Sequence, residues 1–131
     1  TLSRNPNGFF LMIEGSNIDK AAHSNNLEEM MEELLDFDRA AGAVLDWASK
    51  HPGTLVVITA DHNTGAFALT GGSREQGEIT GRFGSGSHDG VAVPVYAFGA
   101  GSGDFTGIYE NTDIFNKIMN ALKKGADKPV R

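Results

Sequence analysis

No cysteine occurs among the 131 residues. That absence removes a disulfide framework and a thiolate metal site together, so any bound metal must rest on histidine and carboxylate. Basic runs are missing too. The 11 Lys and Arg are outnumbered by 17 Asp and Glu, for a net charge of −6, and no Lys/Arg cluster could track a phosphate backbone. No nucleic-acid partner is expected. No apolar run approaches the roughly 20 residues that cross a bilayer, and no basic segment followed by an apolar one opens the chain, so no membrane partner is expected either. The start lacks methionine and runs almost at once into apolar residues, which reads as a fragment. What is present is 40% hydrophobic residues, enough for one compact domain over 1–131 with a core, ending in a flexible tail from about 125 to 131.

Phe9 to Glu14, "FFLMIE", is a continuous apolar run ending on an acid, the pattern of a strand covered on both faces. Apolar residues then recur at steps of three and four from Leu27 to Ala48, predicting an amphipathic helix over 27–50. Glu28, Glu32, Glu33 and Asp36 face outward, and Pro52 and Gly53 stop the helix. Leu55 to Ala60 is a second buried strand. Strand, helix, strand at this spacing predicts a parallel pair with a right-handed crossover, and so an α/β fold with a mainly parallel sheet flanked by helices. Residues 65–87 read as a loop or small hairpin with strand pieces at 67–69 and 78–80. Val93 to Gly99 is a third strand, with Pro94 at its start. Thr112 is placed to cap a last helix through Leu122, with Gly125 past its end.

Ligands gather at the carboxyl ends of parallel strands, and two of these strands deliver Glu14 and the pair Asp61 and His62 there. A lone acid after a strand commonly caps the next turn, but further features accompany these. In "EGSNIDKAAH", Asp19 and His23 stand four apart and share a face if the segment is helical, although such pairs also occur exposed and idle. In "GSGSHDG", His88 sits among glycine and serine that allow close backbone approach, or that simply form a surface loop. His51, in "SKHPG", is read as structural, at a helix end facing the dipole. Asp19, His23 and His88 together have the composition of a zinc site with an open fourth position. Asp61 and His62 would supply part of a second site if the chain turns at "DHNTG", and Glu14 suits a harder ion such as magnesium. Two adjacent metals suit phosphoryl transfer.

"NPNGFFLMIEGSNIDKAAHSNN", "FDRA", "TLVVITADHNTG", "SGSHDG" and "ENTDIF" resemble, in order, motifs of the C-terminal half of the alkaline phosphatase family. The resemblance implies a doubly wound α/β fold, two zinc ions and one magnesium, and hydrolysis of phosphate monoesters through a phosphoserine intermediate. It further implies that Asp19, His23 and His88 hold the first zinc, that Asp61 and His62 contribute to the second, and that Glu14 contributes to the magnesium. Lys20 would approach the bound phosphate through water, although a solvated lysine is an equal reading. A periplasmic or extracellular location follows by the same resemblance.

Nothing here resembles the family's serine nucleophile, its arginine clamp or its remaining ligands. The chain is therefore expected to need an N-terminal half as partner, to be inactive alone, and to bind about one zinc by itself. "TGAF" replaces the usual double glycine, and Asp89 follows His88 where Thr or Ser is common, so its carboxylate is expected to perturb the first zinc or its surroundings. The short 63–87 segment leaves a homodimer open. The alternatives are another member of the wider phosphatase, sulfatase and phosphodiesterase superfamily, or a non-catalytic metal-binding module.

Overall fold

A computed structural model describes residues 2–126. After a 3-10 turn at Leu2–Arg4 come helices α1 (Ser16–His23) and α2 (Leu27–Ser49). The strands are β1 (Leu55–Thr59), β2 (Asn63–Thr64), β3 (Ala68–Ser73), β4 (Glu78–Arg82), β5 (His88–Asp89) and β6 (Val95–Gly99). A second 3-10 turn, Ser102–Phe105, leads to helix α3 (Asp113–Ala126). Two helices thus come first, six short strands follow, and a last helix closes the described chain.

The limits of α2 follow from local chemistry. Asn26 caps it, its side-chain oxygen accepting from the Glu29 amide at 3.2 Å while its own amide donates to Glu29 Oε2 at 3.0 Å. Asn25 adopts the left-handed region at φ 53°, which Asn tolerates, and so turns the chain from α1 into α2. Gly15 lets α1 start hard against α2, since a Cβ there would lie 2.9 Å from the Phe37 ring. Ala21 and Ala22 are buried, leaving the polar face of α1 free. At the other end of α2, His51 stacks on Trp47 with ring centroids 3.8 Å apart and donates from Nδ1 to the Trp47 carbonyl at 2.7 Å. The histidine at this helix end is structural, as expected from the dipole.

All three strand pairs among the described residues are antiparallel: β1 with β6, β2 with β5, and β3 with β4. In the first, Leu55 faces Gly99 and Thr59 faces Val95. Pro94 precedes the ladder, and its carbonyl accepts from the Thr59 hydroxyl at 3.1 Å. Gly99 takes φ 90°, and a Cβ built on it would sit 2.2 Å from the Thr54 carbonyl oxygen. Gly99→Ala is therefore expected to destabilise the chain by more than about 1 kcal/mol, read as a lower urea midpoint, because both backbone conformation and space reject the methyl.

The expected parallel pairing of Phe9–Glu14 with Leu55–Ala60 is not formed. Residues 9–14 have no strand partner among the described residues, and Phe10 and Met12 are 63% and 75% exposed. A strand exists only where a neighbour satisfies its backbone, and here Phe9 instead meets Trp47 edge-on at 5.9 Å. Leu34 and Leu35, expected inward on α2, are also exposed, whereas Glu33 is half-buried. The apolar stripe of the helix is wider than the surface this chain offers it.

The core is small. Ala21, Ala22, Ala48 and Phe105 are the hydrophobic residues buried among those described. The chain exposes 9884 Å², whereas a self-standing protein of 13.9 kDa exposes about 6,700 Å². The expectation of a domain with its own sizeable core is thus not met, because elements shaped for burial lack partners.

Helix α3 starts directly after Thr112, whose hydroxyl makes no hydrogen bond among the described residues, and it runs through Gly125 to Ala126 rather than stopping before the glycine. Lys117 donates to the Asp104 carbonyl at 2.7 Å, and Lys124 pairs with the Asp104 carboxylate at 2.8 Å, tying the helix to the turn before it. That ammonium holds the Asp104 carboxyl below the usual carboxylate range. The tail expected over 125–131 lies outside the described residues from 127 onward. No helix among the described residues is long and apolar enough to cross a membrane.

Candidate metal centre

One turn of α1 places Asp19 and His23 on a common face, with His23 Nε2 3.4 Å from Asp19 Oδ2. Strand β5 brings in His88 from far along the chain. Its Nε2 lies 3.0 Å from His23 Nε2 and 3.6 Å from Asp19 Oδ1. The two rings approach different oxygens of the Asp19 carboxylate, and one ligand atom from each of the three residues lies within 4.8 Å of the others. These are the residues of the described chain whose ligand atoms could close on one ion.

The hydrogen-bond partners suit that use. His23 Nδ1 is 2.8 Å from the Gly86 carbonyl, which can only accept, so Nδ1 donates and Nε2 is the nitrogen turned toward Asp19 and His88. Gly86 is close-packed there, since a Cβ on it would lie 3.2 Å from the His23 carbonyl oxygen. The Thr64 hydroxyl donates to Asp19 Oδ1 at 2.6 Å. This bond, aided by the His23, His88 and His62 imidazoles and opposed by burial, holds the Asp19 carboxyl below the usual carboxylate range. Asp19 is an anion at neutral pH, as a ligand must be.

The other sequence-expected residues fall into three groups. Asp61 and His62 follow β1, where the chain bends enough to bring His62 Nε2 within 3.1 Å of Asp61 Oδ2. The His62 ring stacks on His88 at 3.5 Å between centroids, so this pair abuts the first three without joining them. Lys20 is exposed on α1, its ammonium donating to Asn17 Oδ1 at 3.1 Å. Glu14 is not brought in at all: it is exposed, with no hydrogen bond or ion pair among the described residues. It ends the extended segment that lacks a strand neighbour, so nothing in this chain aims its carboxylate.

The sequence profile of the family "Alkaline phosphatase" matches residues 1–81, more than half of the chain. This chain belongs to the alkaline phosphatase family. Alkaline phosphatase 4 of Bacillus subtilis is 30% identical, covering 95% of this chain and 41% of its own length. The streptomycin-6-phosphate phosphatase of Streptomyces griseus is 36% identical, with 88% and 29% covered. Among solved structures, the alkaline phosphatase of the Antarctic bacterium TAB5 is 42% identical at a TM-score of 0.85, over 93% of this chain and 37% of that one. A mutant of the TAB5 enzyme with Mg bound in its M3 site is similar at 44% identity and a TM-score of 0.84. The chain thus spans 29–41% of the length of these two curated relatives, and the fold is the α/β fold of alkaline phosphatases.

Two polar residues of this alkaline phosphatase chain, Thr64 and Asn63, are not singled out by the sequence, and a third, Asp89, takes a role other than the one expected of it. Thr64 Oγ1 joins the two sets of expected ligands. With its own proton directed at Asp19, it accepts from His62 Nδ1 at 3.1 Å, which fixes the orientation of the His62 ring and turns its Nε2 toward Asp61. Asn63 and Asp89 face each other in the register of β2 and β5. The expectation that Asp89 would disturb the first zinc is not met, since its carboxylate turns away to Asn63, Ala66 and Val91. The Val91 amide first, then Asn63, Ala66 and His62, hold that carboxyl below the usual range against desolvation. The one usable signal was "TGAF": Ala66 takes φ 45°, in the left-handed region that glycine fills more cheaply.

Proposed function

We propose that this chain is the C-terminal part of a metal-dependent phosphatase that hydrolyses phosphate monoesters, with the serine nucleophile and phosphate clamp on an N-terminal part of the same protein. What supports the reading is the convergence of Asp19, His23 and His88 within 4.8 Å of one another, with His23 Nδ1 tied to the Gly86 carbonyl so that Nε2 faces the other two. In it these three hold one zinc, Asp61 and His62 contribute to a second, and Glu14 contributes to a magnesium once neighbours from the N-terminal part orient it. When bound, such ions activate an attacking oxygen and stabilise a leaving one.

The chain's own residues do the holding. Thr64 keeps Asp19 ionised and fixes the orientation of the His62 ring, Gly86 does the same for the His23 ring, and Lys20 lies one residue from Asp19 to meet a phosphate oxygen through water. Hydrolysis of this kind fits a periplasmic or extracellular enzyme. X-ray absorption at the zinc edge of the loaded protein tests the reading. It is expected to give nitrogen and oxygen neighbours at about 2.0–2.2 Å with scattering from two imidazole rings. A spectrum without imidazole scattering would rule the site out.

A further inference from the structure

His88 stands at the end of Gly84-Ser85-Gly86-Ser87, a run with almost no side chain to pack. The ladder joining its strand to β2 is two residues long, Asn63 with Asp89 and Thr64 with His88, and so short a pair is marginal by itself. The Gly65 amide adds one bond to the Ser87 carbonyl at 3.0 Å.

The Gly84 and Ser85 amides donate to the Gly65 carbonyl at 3.0 and 3.1 Å and His23 Nδ1 to the Gly86 carbonyl at 2.8 Å, but these hold the run before His88. On the far side of His88 the Asp89 carboxylate makes the contacts. Its Oδ1 accepts from the Val91 amide at 3.0 Å and from Asn63 Nδ2 at 3.1 Å. Its Oδ2 accepts from Asn63 Nδ2 at 2.9 Å and from the Ala66 amide at 3.1 Å. Four donor contacts use the acceptor capacity of a carboxylate, which leaves Asp89 no role as a ligand. Three of the four span 23 or 26 residues of chain, joining the turn that follows His62 to the residue after His88. The Ala66 contact steadies a residue in a left-handed backbone that an alanine adopts only against steric resistance.

We propose that Asp89 is a positioning residue, its carboxylate clipping β5 to the β2 turn so that the His88 imidazole is held against Asp19 and His23. The consequence for metal rests on the reading of the site given above; the clip itself does not.

The test uses the full chain carrying Asp89→Ala, Asp89→Asn or Asn63→Ala. In wild type, proton cross-relaxation should join the His23 and His88 rings, whose centroids are 4.8 Å apart. Asp89→Ala should abolish it, alter the visible spectrum of the cobalt-substituted protein, and weaken zinc by about 10–100-fold, the usual cost of losing a group that orients a ligand. Asp89→Asn keeps the shape but loses an acceptor and should fall between. If circular dichroism finds Asp89→Ala unfolded, Asn63→Ala, which removes the amide seen by both carboxylate oxygens, decides by the same readouts. A folded variant that keeps the ring contact, the cobalt spectrum and zinc affinity within about threefold, well short of the usual loss, would overturn the proposal. Wild type that binds no zinc, but whose ring contact breaks in Asp89→Ala, would strike the metal reading alone and leave the clip standing.

Discussion

Replacing His88 by alanine is expected to lower the zinc affinity of the chain on the order of 100-fold or more, at least the upper range seen for groups that merely orient a ligand. Such a loss corresponds to about 2.7 kcal/mol. The geometry explains the size: of the three converging residues, His88 is the one that comes from outside α1, its Nε2 lying 3.0 Å from His23 and 3.6 Å from Asp19. Without it, one helix turn presents a carboxylate and an imidazole 3.4 Å apart, and two ligands lack the preorganisation of three. In the complete enzyme most turnover should disappear with the metal. Isothermal titration with zinc, beside hydrolysis of a simple aryl phosphate, checks both; near-normal hydrolysis with zinc retained would contradict the assignment.

The 131-residue chain alone should bind about one zinc and turn over no phosphate monoester above the buffer blank. The first expectation follows from Asp19, His23 and His88 being together, whereas Asp61 and His62 offer two ligands and Glu14 stands apart. Binding should weaken in acid, since a protonated imidazole is no ligand. The second follows from the absence of any residue here that the reading casts as nucleophile. Exposed Phe10, Leu11, Met12, Leu34 and Leu35 should also make the chain self-associate or retain a partner fragment. Zinc counting by mass spectrometry, a phosphatase assay and sedimentation on one preparation measure these together. Two tightly held zinc ions, or genuine turnover, would mean that the division of the active site between the two parts is wrong.

What could be read beforehand divides by the range of the interaction. The span of α2 came out within a residue because its period and the Pro52-Gly53 stop are local. Asp19 with His23 was legible for the same reason, as one helix turn fixes their spacing. His88 lies 65 residues from His23, and only its glycine setting and the family motif pointed to it. Phe9–Glu14 misled, because an apolar run states that it is to be covered and not by what; neither its pairing nor the aim of Glu14 is encoded in these residues. Thr64 and Asn63 were opaque, and Asp89 was expected to act on the zinc instead of bonding Asn63, Ala66 and Val91. A hydroxyl, an amide and a carboxylate in a turn look alike whether they bond one another or water.

The β3–β4 hairpin leaves the site directly after the β2 turn and returns just before β5, with Ala68 opposite Arg82 at its base. The contacts that link the His62 and His88 segments lie below that base: the β2–β5 pair, the Gly65 bonds to residues 84, 85 and 87, the ring stack and the bonds of Asp89. The tip, residues 74–77, is therefore free to change in length. Doubling a loop costs only about 0.6 kcal/mol in closure entropy, so the hairpin can grow, shrink or accept a foreign segment while the metal ligands stay in register. It separates the part of the polypeptide that selection can use to vary assembly or recognition from the part that must hold still.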